Sequence, residues 1–182
     1  MVVLGLGSNK NYIDPCGNVF EPIQILTEAV KELSLLLDNI LVSSVYSSAP
    51  MYYENQENFF NMVVAGGYKG TPENLLIDIN KIEAKWGRYR PNEIPNGPRS
   101  LDIDIELFDN LIVNTSKLTI PHKKIAEREF VLLPLLEILP ESTDITSGQR
   151  FADIYANLAP QNVHKIAEVD YGRTSNDSDR KK

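Results

Sequence analysis

An α+β fold, with helices packed on an antiparallel sheet, is predicted by three features of this sequence. Its hydrophobic periodicities run strand, helix, strand, strand, helix, strand over residues 2–107. Two of those segments carry apolar stripes at helical spacing. The last alternates strictly, Leu101, Ile103, Ile105 and Leu107 taking one face and Asp102, Asp104 and Glu106 the other.

In chain order, Val2 to Leu6 reads as a short buried strand, followed by a loop rich in Asn, Pro and Gly through Glu21. Ile23 to Leu37 is predicted helical, with Ile23, Leu26, Val30, Leu33 and Leu37 on one stripe. Leu41 to Tyr46 and Phe60 to Tyr68 are strands, joined by a polar loop, Ser47 to Asn58, long enough to serve function. Thr71-Pro72 supplies an N-cap and a first-turn proline for a second helix with the stripe Leu75, Ile79, Ile82 and Trp86. The acidic strand follows. The order β-α-β-β-α-β predicts a ferredoxin-like sandwich with both helices on one face of the sheet. Ile125 to Leu139 and Phe151 to Leu158 are predicted as additional C-terminal helices. From Tyr171 the residues are small, polar or charged, which predicts a disordered polar tail over 171–182 beyond one domain of residues 1–170.

With 182 residues, 42% of them hydrophobic, the chain has the size for a single core burying roughly 70% of its unfolded surface. One cysteine, Cys16, excludes an intrachain disulfide framework. No leader-like segment opens the chain and no apolar run is long enough to span a bilayer, so the cytoplasm is the expected address. A net charge of -7 argues against nucleic acid or anionic membrane as partners. Phosphate recognition must therefore be local, and a monomer acting on small molecules is expected.

The acidic strand points to such recognition. Side chains two apart share a face, with Cα atoms roughly 6.6 Å apart, so Asp102 and Asp104 can converge on hard cations. Magnesium suits them, held by one or two carboxylates plus substrate phosphates. Lys85, Arg88, Arg90 and Arg99 stand just upstream, and a polyphosphate would bridge the two charge clusters. A merely wet strand face is the competing explanation. Aspartate is depleted from strands, and like charges two apart repel unless something positive lies between them. Glu106 is read as solvated or supporting rather than as a third ligand. Gly5-Leu6-Gly7-Ser8-Asn9 is read as a strand-ending turn, because Lys10 replaces the third glycine of a dinucleotide fingerprint.

Gly97-Pro98-Arg99-Ser100-Leu101-Asp102-Ile103-Asp104-Ile105 resembles the signature of the 6-hydroxymethyl-7,8-dihydropterin pyrophosphokinases. Gly5 to Asn9, Phe59-Phe60-Asn61, Gly87-Arg88-Tyr89-Arg90, Pro121-His122 and Arg128-Glu129-Phe130 match that family in order, so the similarity runs from about Val2 to about Leu158. The resemblance implies transfer of pyrophosphate from ATP to the pterin alcohol in folate biosynthesis, giving AMP. It implies two Mg2+ ions on Asp102 and Asp104, with Arg90, Arg99 and Asp104 catalytic. It implies ATP contacts from Glu83, Arg88, Arg90, Arg99, Ile105, Lys117, Thr119, His122 and Arg128. For the pterin it implies Ser48, Ala49, Pro50 and Met51 at the ring, Phe59 and Phe130 stacking, and Asn61 at the edge. A flat polar heterocycle calls for such aromatic faces and an edge amide. Linkage to a neighbouring folate-pathway enzyme is a further implication.

Two departures stand out. Many members carry Arg-Trp just before Gly-Pro-Arg, where this chain has Ile94-Pro95-Asn96. The loop after Asn9, with Tyr12, Pro15 and Cys16, is longer than in compact members and has no assigned role. Two other functions compete with this one. An RNA-binding module would show a basic, aromatic sheet motif, which is absent. Another metal-dependent phosphoryl transferase would differ in lacking pterin binding.

Overall fold

The computed structural model describes residues 1–88 and 94–172. Ten strands and four α-helices follow in this order: β1 Val2–Ser8, β2 Tyr12–Ile13, β3 Val19–Phe20, α1 Pro22–Leu33, β4 Asp38–Val42, β5 Val45–Ser48, β6 Phe59–Gly67, α2 Pro72–Lys85, β7 Asp102–Phe108, β8 Val113–Asn114, β9 Thr119–Ile120, α3 Glu129–Ile138, α4 Phe151–Ala156 and β10 His164–Ala167. A 3-10 turn, Ile125–Glu127, leads into α3.

The main sheet is antiparallel throughout, in the order β10-β5-β6-β1-β7, with β4 also pairing β6. Val2, Leu4 and Leu6 of β1, Met62 and Val64 of β6, and Ile103 and Ile105 of β7 join the buried faces of α1 and α2 in the larger core. Val3, Val63, Ala65 and Leu107 face the other way, against α3 and α4 in the second core. The result is a mixed α/β protein with helices on both faces of its sheet.

Local chemistry sets the helix ends. The Glu21 backbone N–H donates to Gln24 Oε1 at 2.8 Å and Pro22 opens the first turn of α1. Thr71 Oγ1 accepts from Asn74 N at 3.3 Å at the start of α2. The first helix stops at Leu33, short of the expected Leu37, because Leu35 N and Leu36 N bond back three residues, to Glu32 O at 3.1 Å and Leu33 O at 3.0 Å. Leu37 still reaches the core, from the turn.

Two further expectations need correction. The strand expected over Leu41 to Tyr46 is two strands, broken where Glu137 of α3 accepts from Ser44 N at 2.9 Å and Ser44 Oγ at 2.7 Å. Leu107 does not share a face with Ile105. The β1–β7 register runs Leu4↔Ile105 then Val3↔Leu107, a β-bulge that leaves Glu106 as the extra residue and puts Leu107 in the second core. Val169 and Tyr171, on either side of the expected domain boundary, pack against the larger core. Residues 173–182 of the expected tail lie outside the described residues.

The loop after Asn9 forms the β2–β3 hairpin, whose Tyr12 and Phe20 rings meet Trp86 edge-on at centroid distances of 5.7 and 5.3 Å. Gly87 follows with φ +79, and a Cβ there would stand 2.7 Å from the Tyr12 ring. The hairpin thus seats the chain directly ahead of Arg88. Among the described residues, no helix is long and apolar enough to cross a membrane.

Candidate active site

At the end of the sheet where β1 and β5 finish and β6 and β7 begin, one row of pairing runs Tyr46↔Asn61↔Gly7↔Asp102. This places the mid-chain amide and the first acidic residue on the same face, separated only by a glycine. A cleft opens above the row, roofed by the start of α3.

Gly5 and Gly7 form its floor, and both are tightly opposed. A Cβ on Gly7 would lie 3.4 Å from Asn61 Oδ1, and one on Gly5 only 2.8 Å from Glu106 Oε1. The stretch Gly5 to Asn9, expected to be a structural turn, therefore shapes the cleft. Its end also fixes the basic loop: Asn9 Oδ1 accepts from Arg99 N at 2.9 Å, Asn9 N donates to Arg99 O at 3.0 Å, and Asn9 Nδ2 donates to Gln56 Oε1 and Glu57 O, each at 3.0 Å. A buried Asn ending an apolar strand was the available signal, since such an amide needs partners.

Most of the expected pterin residues line this cleft: Ser48, Ala49, Met51, Phe59, Asn61 and Phe130. Pro50 is half-buried beside them and is not part of the lining. Asn61 Nδ2 donates to Ser48 Oγ at 3.0 Å, which orients the amide over Gly7. Tyr52, Gln56 and Asn96 also line the cleft and were not anticipated from the sequence.

The acidic pair stands opposite. Asp102 accepts from Arg88 Nη1 and lies 3.0 Å from Arg99 Nε, while Asp104 lies 3.3 Å from Arg128 Nη1. Two of these guanidinium groups also cover rings, Arg99 over Phe59 at 4.9 Å and Arg128 over Phe130 at 5.4 Å. Arg99, Asp102, Asp104 and Arg128 of the expected phosphate set thus share one cleft with most of the expected pterin set, the arginines linking its halves. Arg90 lies outside the described residues.

The remaining expected ATP residues divide. Glu83, Arg88 and Lys117 line a neighbouring groove with Leu76 and Asn80. Glu83 is buried and committed, accepting from Arg88 Nη1 at 2.8 Å and Ile103 N at 2.9 Å. Ile105 turns its side chain into the larger core, and Thr119 sits half-buried on β9. His122 is anchored through its backbone, N to Glu106 O at 2.9 Å, and burial lowers the affinity of its ring for protons.

Glu106 overturns its reading as solvated, because it is 0% exposed. Burial, reinforced by the Asp104 charge, pushes its carboxyl up to about 8. Among the described residues, no three His, Cys, Asp or Glu side chains are grouped to hold an ion by themselves. The carboxylates of Asp102 and Asp104 at the cleft are hard oxygen donors, a set that fits a cation keeping waters and taking substrate phosphates, as magnesium does.

Known proteins match this architecture. The family model for 7,8-dihydro-6-hydroxymethylpterin-pyrophosphokinase matches residues 3–140. A 2-amino-4-hydroxy-6-hydroxymethyldihydropteridine pyrophosphokinase of Aquifex aeolicus is 37% identical over 139 residues, 76% of this chain and 80% of that protein. The folic acid synthesis protein fol1 of Pneumocystis carinii is 31% identical over 167 residues, 91% of this chain but 22% of that protein, so the chain spans about a fifth of that relative's length. The solved HPPK-DHPS of Plasmodium falciparum shares the fold, with a TM-score of 0.62 at 16% identity over 85% of this chain and 44% of that one. By the span of the family match and the identity it shares with the Aquifex aeolicus enzyme, the chain belongs to the 7,8-dihydro-6-hydroxymethylpterin-pyrophosphokinase family.

Proposed function

We propose that this chain transfers pyrophosphate from ATP to 6-hydroxymethyl-7,8-dihydropterin, giving AMP and the pterin pyrophosphate for folate synthesis. The observation that carries this reading is one cleft walled on one side by Phe59, Phe130 and Asn61 and on the other by Asp102 and Asp104 among arginines. Phosphoryl chemistry of this kind is mostly positioning and charge neutralisation. Phe59 and Phe130 would stack the pterin and Asn61, oriented by Ser48, would read its edge.

Asp102 and Asp104 would hold the Mg2+ ions, which when bound neutralise phosphate charge and acidify the attacking alcohol. Arg99, Arg128, His122 and, outside the described residues, Arg90 would bind the triphosphate. Arg88 and Lys117, lining the adjoining groove, would extend that contact. Arg99 and Arg128 now lie on the two carboxylates and would turn to phosphate oxygens when ATP arrives, the guanidinium fork suiting either anion. The sheet order β5-β6-β1-β7, with α1 and α2 on one face, supports a ferredoxin-like core. Relatives in which the matching segment is a fifth of a folic acid synthesis protein support the expectation that such a domain works beside other folate enzymes.

The phosphorus attacked decides the reaction. Chromatography of a mixture of the chain, ATP, magnesium and the hydroxymethyl-dihydropterin should show AMP rising in step with the pterin pyrophosphate, with ADP at background. Stoichiometric ADP and a pterin monophosphate would make it an ordinary kinase instead.

A further inference from the structure

Glu106 is a buried acid that the proposed reaction does not use. It is 0% exposed, and neither carboxyl oxygen has a hydrogen-bonding partner among the described residues, yet it lines the same cleft as Asp102 and Asp104. Burying a carboxyl without a partner is unfavourable, and an apolar side chain would fill the place more stably.

Two features of the backbone make room for it. Alternation along β7 puts Glu106 on the face that carries Asp104, and the bulge leaves it without a partner residue on β1. Gly5 lies opposite, where a single Cβ would come within 2.8 Å of Oε1. His122 Nδ1, 3.7 Å away, accepts from Lys124 N at 3.3 Å, and Arg128 Nη1 lies on Asp104.

We propose that Glu106 is an outer carboxyl of the cation site, an acceptor behind Asp104 for the hydrogens of water carried by a hydrated divalent cation. This rests on the reading of Asp102 and Asp104 as the cation's ligands. Glu106 stands in the outer position because the three acids are not grouped tightly enough to share an ion directly. A cation held by two protein carboxylates keeps several waters, and their O–H groups are strong donors needing acceptors. Outer acceptors of this kind typically change metal affinity 10- to 100-fold.

The test uses the full chain with a nonhydrolysable ATP analogue and Mn2+ as the probe, free Mn2+ being read by electron paramagnetic resonance. Glu106→Leu is expected to weaken Mn2+ binding about tenfold or more, to leave metal-free binding of the analogue unchanged, and to raise the melting temperature. Glu106→Met serves the same comparison if the leucine variant fails to fold. Mn2+ binding as tight as wild type in a folded apolar variant overturns the proposal. If instead wild type holds no Mn2+, or Asp104→Ala holds it as tightly as wild type, the cation-site reading falls and takes this inference with it.

Discussion

Asp102 and Asp104 stand two residues apart on one strand, but their neighbours differ. Asp104 is 37% exposed at the cleft and touches Arg128 alone among the ion pairs described. Asp102 is 15% exposed and helps hold Arg88, itself 8% exposed between Glu83 and Asp102. Both should be needed for turnover, since each would hold metal. Their stability costs should part: Asp104→Ala should unfold near wild type, while Asp102→Ala leaves a buried guanidinium short of one acceptor, at roughly 1 to 3 kcal/mol. Urea unfolding beside a single-turnover assay checks both. Equal stability losses, or near-normal turnover in either variant at saturating magnesium, would contradict the assignment.

At the scale of the elements, α3 roofs the cleft with Phe130 and is tied to the sheet by Glu137. Its carboxylate accepts from Ser44 N and Oγ, from Tyr46 Oη at 2.9 Å, and from Lys165 Nζ at 3.1 Å, filling the break between β4 and β5. Burial alone would raise the proton affinity of this carboxyl, but the hydrogen bonds from Ser44, Tyr46 and Lys165 prevail and hold it below its ordinary 4.5. The folded state therefore keeps the ionised form to lower pH than the unfolded chain does. Its contribution is present above about 4.5 and is lost as the pH falls through the lowered folded value. Glu137→Gln should cost roughly 1.5 to 3 kcal/mol at pH 7, the range for hydrogen bonds to a charged group. The gap between variant and wild type should shrink as the pH drops below that window. A pH-independent gap in thermal unfolding would mean that shape rather than charge holds the staple.

The whole molecule extends its sheet beyond the family-matched segment. β10 pairs with β5 through His164↔Ser47 and Lys165↔Tyr46, and Val169 and Tyr171 then pack on the larger core. An edge strand left open is a ready template for association, so this segment covers the β5 edge as well as adding apolar contact. Ending the chain at residue 160 should lower stability by about 2 kcal/mol or more and speed amide exchange in Val45–Ser48. Hydrogen exchange read by mass spectrometry measures it. Unchanged protection of β5 would show that the added strand is dispensable.

The sequence by itself determined the sheet-and-helix order, because apolar residues at spacings of two and of three to four report directly which faces are buried. The acidic pair and the basic cluster beside it were legible from alternation and charge, whereas the aromatic and amide residues of the cleft were legible only through the family resemblance, since a Phe in an apolar segment otherwise reads as core. Only the tertiary structure decided that Glu106 is buried and that Leu107 turns away from Ile105, because a one-residue bulge shifts the alternation and depends on how β7 pairs with β1 rather than on β7 itself. The same holds for Glu83, whose buried commitment to Arg88 and Ile103 arises from contacts 5 and 20 residues away. The glycine floor and the Asn9 clamp on Arg99, 90 residues distant, were likewise invisible to periodicity. A local pattern records whether a side chain is buried; which groups meet there depends on how distant strands register, and that registration is a property of the folded chain.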